Sequence, residues 1–289
     1  MSKRIAAYEG RRPSDDEDDS GSESHAPARR PRRPPEVEVL VDEPRFAVVS
    51  KPAGIPSVPE RFRKEDPTVV DLAHRVLRRR DPAAPRPLVV HRLDRDTSGA
   101  LLLAKDDEAA KDLMAQFEAR TVAKSYLALC LGAPQPPSGE VAFRVDKDPR
   151  RPGAMALVGK GGRECESSWE TLETFRGVSL VRVIPRTGRT HQVRLTLLHL
   201  GTPCAVDLLY SSSAPIYLSQ YKRDYRVGRE GVETPLLDRL SLHAESLAFR
   251  RPGAAEDDAA ARVRVEAPLA RDFATTLRQL RRWAAPGTL

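Results

Sequence analysis

Cysteine is scarce in this chain, three in 289 residues, and Cys130, Cys165 and Cys204 are scattered without metal-ligand spacing. That argues against a disulfide framework and a zinc site, and it fits a reducing interior compartment. No apolar run approaches the roughly 18 residues of a membrane span. The chain also lacks a basic-then-apolar signal pattern, since Ile5-Ala6-Ala7 is followed at once by Tyr8-Glu9-Gly10. A cytoplasmic location away from membranes is therefore expected. Absent too are an internal repeat and a glycine-rich phosphate loop, because Gly161-Gly162 has no nucleotide-binding pattern around it. His191 and His199 have no acidic partner at useful spacing, and His91 and His243 read as hydrogen-bonded structural residues. No metal is expected.

What is present is enough to build a core: 40% of the residues are apolar. The formal net charge is +7. Residues 1–36 hold eight Lys/Arg and eight Asp/Glu, so the whole excess belongs to residues 37–289. A folded domain with that surplus suits a polyanionic partner. Residues 1–36 read as a disordered tail, with an acidic block at Asp15 to Asp19, then Arg29-Arg30-Pro31-Arg32-Arg33, and almost nothing to bury.

From Val37 the pattern becomes ordered. Val37 to Val41 and Phe46 to Ser50 read as strands, and Asp66-Pro67 reads as a cap and first turn for a helix over Val69 to Arg80. Asp106 is placed to cap a second helix through Arg120, with Ala110, Leu113, Met114 and Phe117 on its apolar face. Val122 to Leu131 alternates as a strand with Lys124, Tyr126 and Ala128 on one face. Val178 to Ile184 is another strand. Thr190 to Leu200 reads as a helix closed by Gly201, its positive end a natural anion site. Residues 211–235 read as a polar surface insertion. Strands return at Leu240 to Phe249 and Val263 to Glu266, before a last helix, Leu269 to Trp283, with Arg271, Arg278, Arg281 and Arg282 solvated or lining a groove.

The chain centres on His91-Arg92-Leu93-Asp94-Arg95-Asp96-Thr97-Ser98-Gly99, followed by an apolar run from Ala100 to Ala104. The run reads as a strand buried on both faces. A polar loop fixed to such a strand holds its side chains on rigid support, as a reactive site requires. Taken singly, Asp94 reads as a loop carboxylate, Tyr126 as a core-edge tyrosine and Arg194 as a helix-surface cation.

Their joint occurrence changes that. His91-Arg92-Leu93-Asp94 with Thr97-Ser98-Gly99, then Lys124-Ser125-Tyr126-Leu127-Ala128, then Thr187-Gly188-Arg189-Thr190-His191-Gln192-Val193-Arg194 resemble, in this order, the RluA-type pseudouridine synthases. Lys51-Pro52-Ala53-Gly54, Pro203, Asp207, Tyr210 and Leu240 to His243 extend the resemblance over residues 38 to 285. Val206 and Ser211 stand where the family usually has glycines. The resemblance implies an α+β (mixed α/β) fold with a central, mostly antiparallel sheet split by an active-site cleft and flanked by helices. It also implies isomerisation of uridine to pseudouridine within ribosomal or transfer RNA, without a cofactor; a monomer is expected. By motif position Asp94 is the catalytic carboxylate, Arg194 its basic partner, and Tyr126 the ring that stacks on the target base. Arg92 enters the space that base leaves. Lys124, Arg189, His191 and Gln192 complete the expected RNA-binding set, as structural or phosphate-facing rather than chemical groups.

The chemistry itself asks for these residue types. Breaking the base–sugar bond, turning the base and rejoining it through carbon needs an ionised carboxylate. A pocket that excludes water favours the neutral acid, and an adjacent guanidinium opposes this. Attack on the sugar and proton abstraction to a glycal both satisfy the sequence. Two other classes remain open: an RNA-binding assembly factor that has lost its chemistry, and a hydrolase using Asp94 with His91.

Overall fold

The computed structural model describes residues 37–59, 66–211, 214–227 and 231–285. The expected disordered tail lies outside these residues. Strands β1 (Glu38–Asp42) and β2 (Phe46–Lys51) form an antiparallel hairpin. Helix α1 (Val69–Arg80) follows, then β3 (Leu88–Val89), β4 (Ser98–Ala104) and helix α2 (Asp107–Glu118). Next come β5 (Ala123–Leu131), β6 (Ser138–Lys147), β7 (Met155–Val158), β8 (Arg163–Thr174) and β9 (Val178–Pro185). Helix α3 (Gln192–His199), β10 (Leu242–Arg250), β11 (Arg262–Glu266) and helix α4 (Arg271–Trp283) complete the described chain. Among the described residues no helix is long and apolar enough to cross a membrane.

The helix starts test the capping rules. Asp106 caps α2 as expected, accepting the Ala109 N–H at 2.7 Å. At α1 the expectation was wrong: Thr68 is the cap, in a reciprocal box with Asp71, and Asp66 pairs with Arg95 at 3.2 Å instead. A box satisfies two orphan donors where a lone aspartate satisfies one. Met114, expected on the apolar face of α2, is 46% exposed. The helix buries Ala109, Ala110, Leu113 and Gln116, a face turned slightly from the one read in the sequence.

The strands join in one sheet of order β1-β2-β4-β10-β5-β9-β8-β6-β7, with β3 beside β4 and β11 beside β10. Its pairings are antiparallel except that of β4 with β10. That parallel contact is brief, His243 with Ser98 and Ala244 with Gly99. Beyond it the two strands diverge, β3 flanking one and β11 the other. Gly99 makes the junction feasible: its φ is +115°, and a Cβ there would lie 2.1 Å from the Ala244 carbonyl oxygen. Ser98 Oγ and His243 Nδ1 add a buried hydrogen bond of 2.9 Å across the seam. All seven residues of β4 are buried, and Leu101, Leu102 and Leu103 each contribute roughly 1.5–3 kcal/mol of burial. This strand is the support expected beneath the Asp94 loop.

Helix α3 begins at Gln192, two residues later than expected, because His191 takes a left-handed backbone with φ +57°. Such a shape costs a non-glycine residue about 1–2 kcal/mol. Nor does α3 carry a simple apolar stripe, since every residue from Gln192 to Leu197 is buried. The described part of 211–235 is irregular, as read, but it is anchored. Ile216 bridges to Leu237 and packs with α4 residues Phe273 and Leu277. Of the four α4 arginines none lines the central cleft; Arg281 pairs with Glu173 at 2.6 Å. All three cysteines are buried free thiols, and burial pushes Cys165 up to about 11 and Cys204 up to about 12.

Candidate active site

A cleft of about 1360 Å³ opens where β4 and β10 begin and β9 ends. Asp94, Tyr126, Arg194, Arg92, Lys124, Arg189, His191 and Gln192 all line it. The whole lining holds eight arginines and lysines against five carboxylates.

The Asp94 loop is held by its backbone. Lys51 Nζ, on a side chain with no solvent exposure, donates to the carbonyls of Pro52 (3.0 Å), Ile55 (2.7 Å) and Arg95 (2.7 Å). Burial pulls the Lys51 pKa down to about 7, while three carbonyl acceptors favour its protonated form. Ser57 Oγ donates to the Leu93 carbonyl and accepts the Leu93 N–H, at 2.9 and 3.1 Å. The Gly54 N–H donates to Arg95 O at 2.9 Å. None of these bonds engages the Asp94 carboxylate, which projects into the cleft.

Arg194 meets it there. Its Nη1 donates to Asp94 Oδ2 at 3.1 Å, while Nε and Nη2 grip both oxygens of Asp207 at 2.7 Å each. The guanidinium also lies over the Tyr210 ring, 4.8 Å from its centroid. Burial works to lower the Arg194 pKa, and Asp207 with Asp94 outweighs it, holding the group above its ordinary value. Arg194 is therefore charged and fixed, with one corner left for Asp94. On the other side, His191 Nε2 stands 3.9 Å from Asp94 Oδ1 and Nδ1 lies 2.7 Å from Tyr210 Oη. Since Tyr210 Oη already accepts the Met155 N–H at 2.8 Å, its proton is directed to Nδ1. That arrangement favours the tautomer with Nε2–H facing Asp94. Burial pushes the His191 pKa below its usual value.

Tyr126 sits on β5, opposite Val183 and Ala244, and packs against core clusters on both sides of the seam. Burial, reinforced by Asp94, raises its phenol pKa and keeps it protonated. Lys124, two residues earlier, donates to Thr187 O at 3.3 Å and rests over Phe117. Arg92 is exposed.

Two expectations need correction. Gln192 is 4% exposed, and its amide is fully engaged. Its Oε1 accepts from Thr187 Oγ1 and the Arg189 N–H, and its Nε2 donates to Glu166 O and Ser167 Oγ. It stitches the loop to β8 and has no hydrogen left for RNA. That same bond from Arg189 N occupies part of the anion site expected before α3. His91 is the hydrogen-bonded structural residue read from the sequence: it stacks on Phe117 and its Nε2 accepts the Leu102 N–H at 3.0 Å, which removes it as a partner of Asp94 in the rival hydrolase reading. Two functional neighbours were quoted only as motif matches, Asp207 and Tyr210. Nothing local in Val206 to Tyr210 signals that they clamp an arginine thirteen residues earlier. Among the described residues no set of three or more His, Cys, Asp or Glu is grouped to hold a metal.

Residues 45–199 match the model of a family described as RNA pseudouridylate synthase. The chain belongs to that family. A Xanthomonas campestris relative, named Ribosomal large subunit pseudouridine synthase D, is 34% identical over 85% of this chain and 70% of its own length. A Chloroflexus aurantiacus protein named an uncharacterized RNA pseudouridine synthase is 45% identical over 43% of this chain, a match that spans 39% of that relative. Among solved structures, human RNA Pseudouridylate Synthase Domain Containing 4 superposes with a TM-score of 0.63 and 25% identity, over 84% of this chain and 93% of its own. The mixed α/β architecture expected for pseudouridine synthases is the one observed.

Proposed function

We propose that this synthase isomerises uridine to pseudouridine in ribosomal RNA, with Asp94 as the catalytic carboxylate. The observation that carries the reading is the 3.1 Å contact between Asp94 and Arg194, whose other nitrogens are locked on Asp207. It lies in a cleft large enough for a nucleotide and richer in cations than in carboxylates. Ribosomal RNA is favoured because a relative matching 85% of the chain is named for the large ribosomal subunit.

The reaction breaks the N1–C1′ bond, forms a C5–C1′ bond, releases the C5 hydrogen as a proton and returns a proton to N1. Composition is unchanged, so the protein has to supply a charged group, a place to turn the base and exclusion of water. Arg194, unable to lose its proton, keeps a positive charge beside the Asp94 carboxylate throughout. Reaching the uridine means flipping it from its stack at a cost of a few kcal/mol. The Tyr126 ring returns about 1–3 kcal/mol by stacking, and Arg92, exposed at the rim, fills the vacated place.

The test is tritium release from RNA transcripts labelled at uridine C5, with Asp94→Ala as the control. Wild-type release and a silent variant are expected; equal release from both proteins would end the proposal. Mapping pseudouridine in total RNA with and without the gene then identifies the site.

A further inference from the structure

Leu208 stands in the cleft and has no role in the chemistry above. Leu208 is 92% exposed, although it lies between Asp207 and Tyr210, both buried. A leucine left in water forgoes the burial that drives folding, and here the backbone gives it no choice. Asp207 Oδ1 accepts the N–H groups of both Leu209 and Tyr210, at 2.9 and 3.2 Å, and Asp207 O accepts that of Ser211 at 3.0 Å. Arg151 Nη1 donates to Leu209 O at 2.8 Å. The carboxylate that locks Arg194 thus also locks this turn, with Leu208 projecting from it. Leu208 lines the same cleft as Asp94 and Tyr126, as does Met114, itself 46% exposed.

We infer that Leu208 is an apolar wedge that presses on the face of the base next to the everted uridine. Flipping one nucleotide leaves its neighbour with a bare aromatic face, and rigidly held leucine or methionine side chains are suited to cover such a face. Arg92 fills the hole with charge; Leu208 covers its apolar side. Its neighbour Leu209 is instead packed in the core cluster that holds Phe143 and Leu198. The inference rests on the proposed reaction and names which part of the substrate this turn touches.

Two RNAs decide it: a hairpin carrying the mapped uridine in a stacked context, and an unpaired strand of the same local sequence. Leu208→Ala is expected to lower kcat/KM on the hairpin about tenfold, with less than about a twofold change on the strand, because only stacked neighbours need covering. Leu208→Phe is expected to restore the hairpin rate. In the hairpin, 2-aminopurine beside the uridine brightens with wild type and stays dim with Leu208→Ala. Unchanged hairpin activity, equal losses on both RNAs, or a lowered melting temperature for Leu208→Ala would each overturn the inference. Wild-type tritium release checks the underlying reaction separately, so a silent wild type would sink both together.

Discussion

The two walls of the cleft hold their groups in opposite ways. On the Asp94 wall the constraints act on main-chain atoms: Lys51 on three carbonyls, Ser57 on both polar groups of Leu93, Gly54 on Arg95. The Asp94 side chain is thereby left available. On the Arg194 wall the constraints act on side chains, and Asp207, Tyr210, His191 and Gln192 spend most of their hydrogen-bonding capacity on one another or on α3 and β8. A group that must react is best fixed through the backbone that carries it. A group that must stay charged and still is best fixed through its own polar atoms.

Substitutions on each wall test that contrast. Asp207→Ala leaves Arg194 buried without its bidentate partner, and breaking such a pair costs about 3–5 kcal/mol. Urea unfolding should show that loss together with inactivity, whereas Asp94→Ala should lose activity at unchanged stability. If both unfold alike, the walls are not built differently. Lys51→Met removes the shared donor of three carbonyls, of which the Ile55 and Arg95 acceptors tie the Asp94 loop; a loss of about 1–3 kcal/mol is expected, with kcat falling more than KM rises. A KM effect alone would mean that the loop does not position Asp94.

The seam between the walls predicts a pH response. His243 has no solvent exposure, hydrogen-bonds to Ser98 and Ala267, and burial lowers its pKa from 6.5 to about 4. In the unfolded chain it protonates first, so its neutral form supports stability above about pH 6.5 and that support is lost as pH falls toward 4. At about pH 5 the loss is about 2 kcal/mol, to be read as a shift in the urea midpoint between about pH 7 and pH 5. A shift no smaller in His243→Gln would assign the acid sensitivity elsewhere. The smallest effect belongs to Thr68→Ala, which uncaps α1 beside the Asp94 wall at a cost of about 1 kcal/mol, with kcat unchanged. Asp66→Ala should cost less than Thr68→Ala; the reverse order would restore the cap first read from the sequence.

Much of this site was legible because its residues sit in short segments of distinctive type. Asp94 sits between two cations, Arg92 and Arg95, and precedes a hydroxyl pair, a glycine and an all-apolar strand, and the strand is where the pattern placed it. Tyr126 alternates with Lys124 and Ala128 on a clear strand. Gln192 entered the RNA-binding set only through its motif position, as structural or phosphate-facing, while its four partners come from Thr187, Arg189, Glu166 and Ser167. Met114 misled because helical spacing marks an apolar face without saying how wide the buried part is.

Local order in the chain therefore determined the strands and the helices and singled out Asp94 as the carboxylate proposed to react, since periodicity and motif spacing act over neighbours. Folding alone decided that Asp207 would clamp Arg194, that Lys51 would tie the Asp94 loop, and that Leu208 would stand in the open. Each depends on packing between separate segments, the turn at Asp207 against α3 and Lys51 of β2 against the loop before β4, and no short-range pattern encodes a distance of that kind.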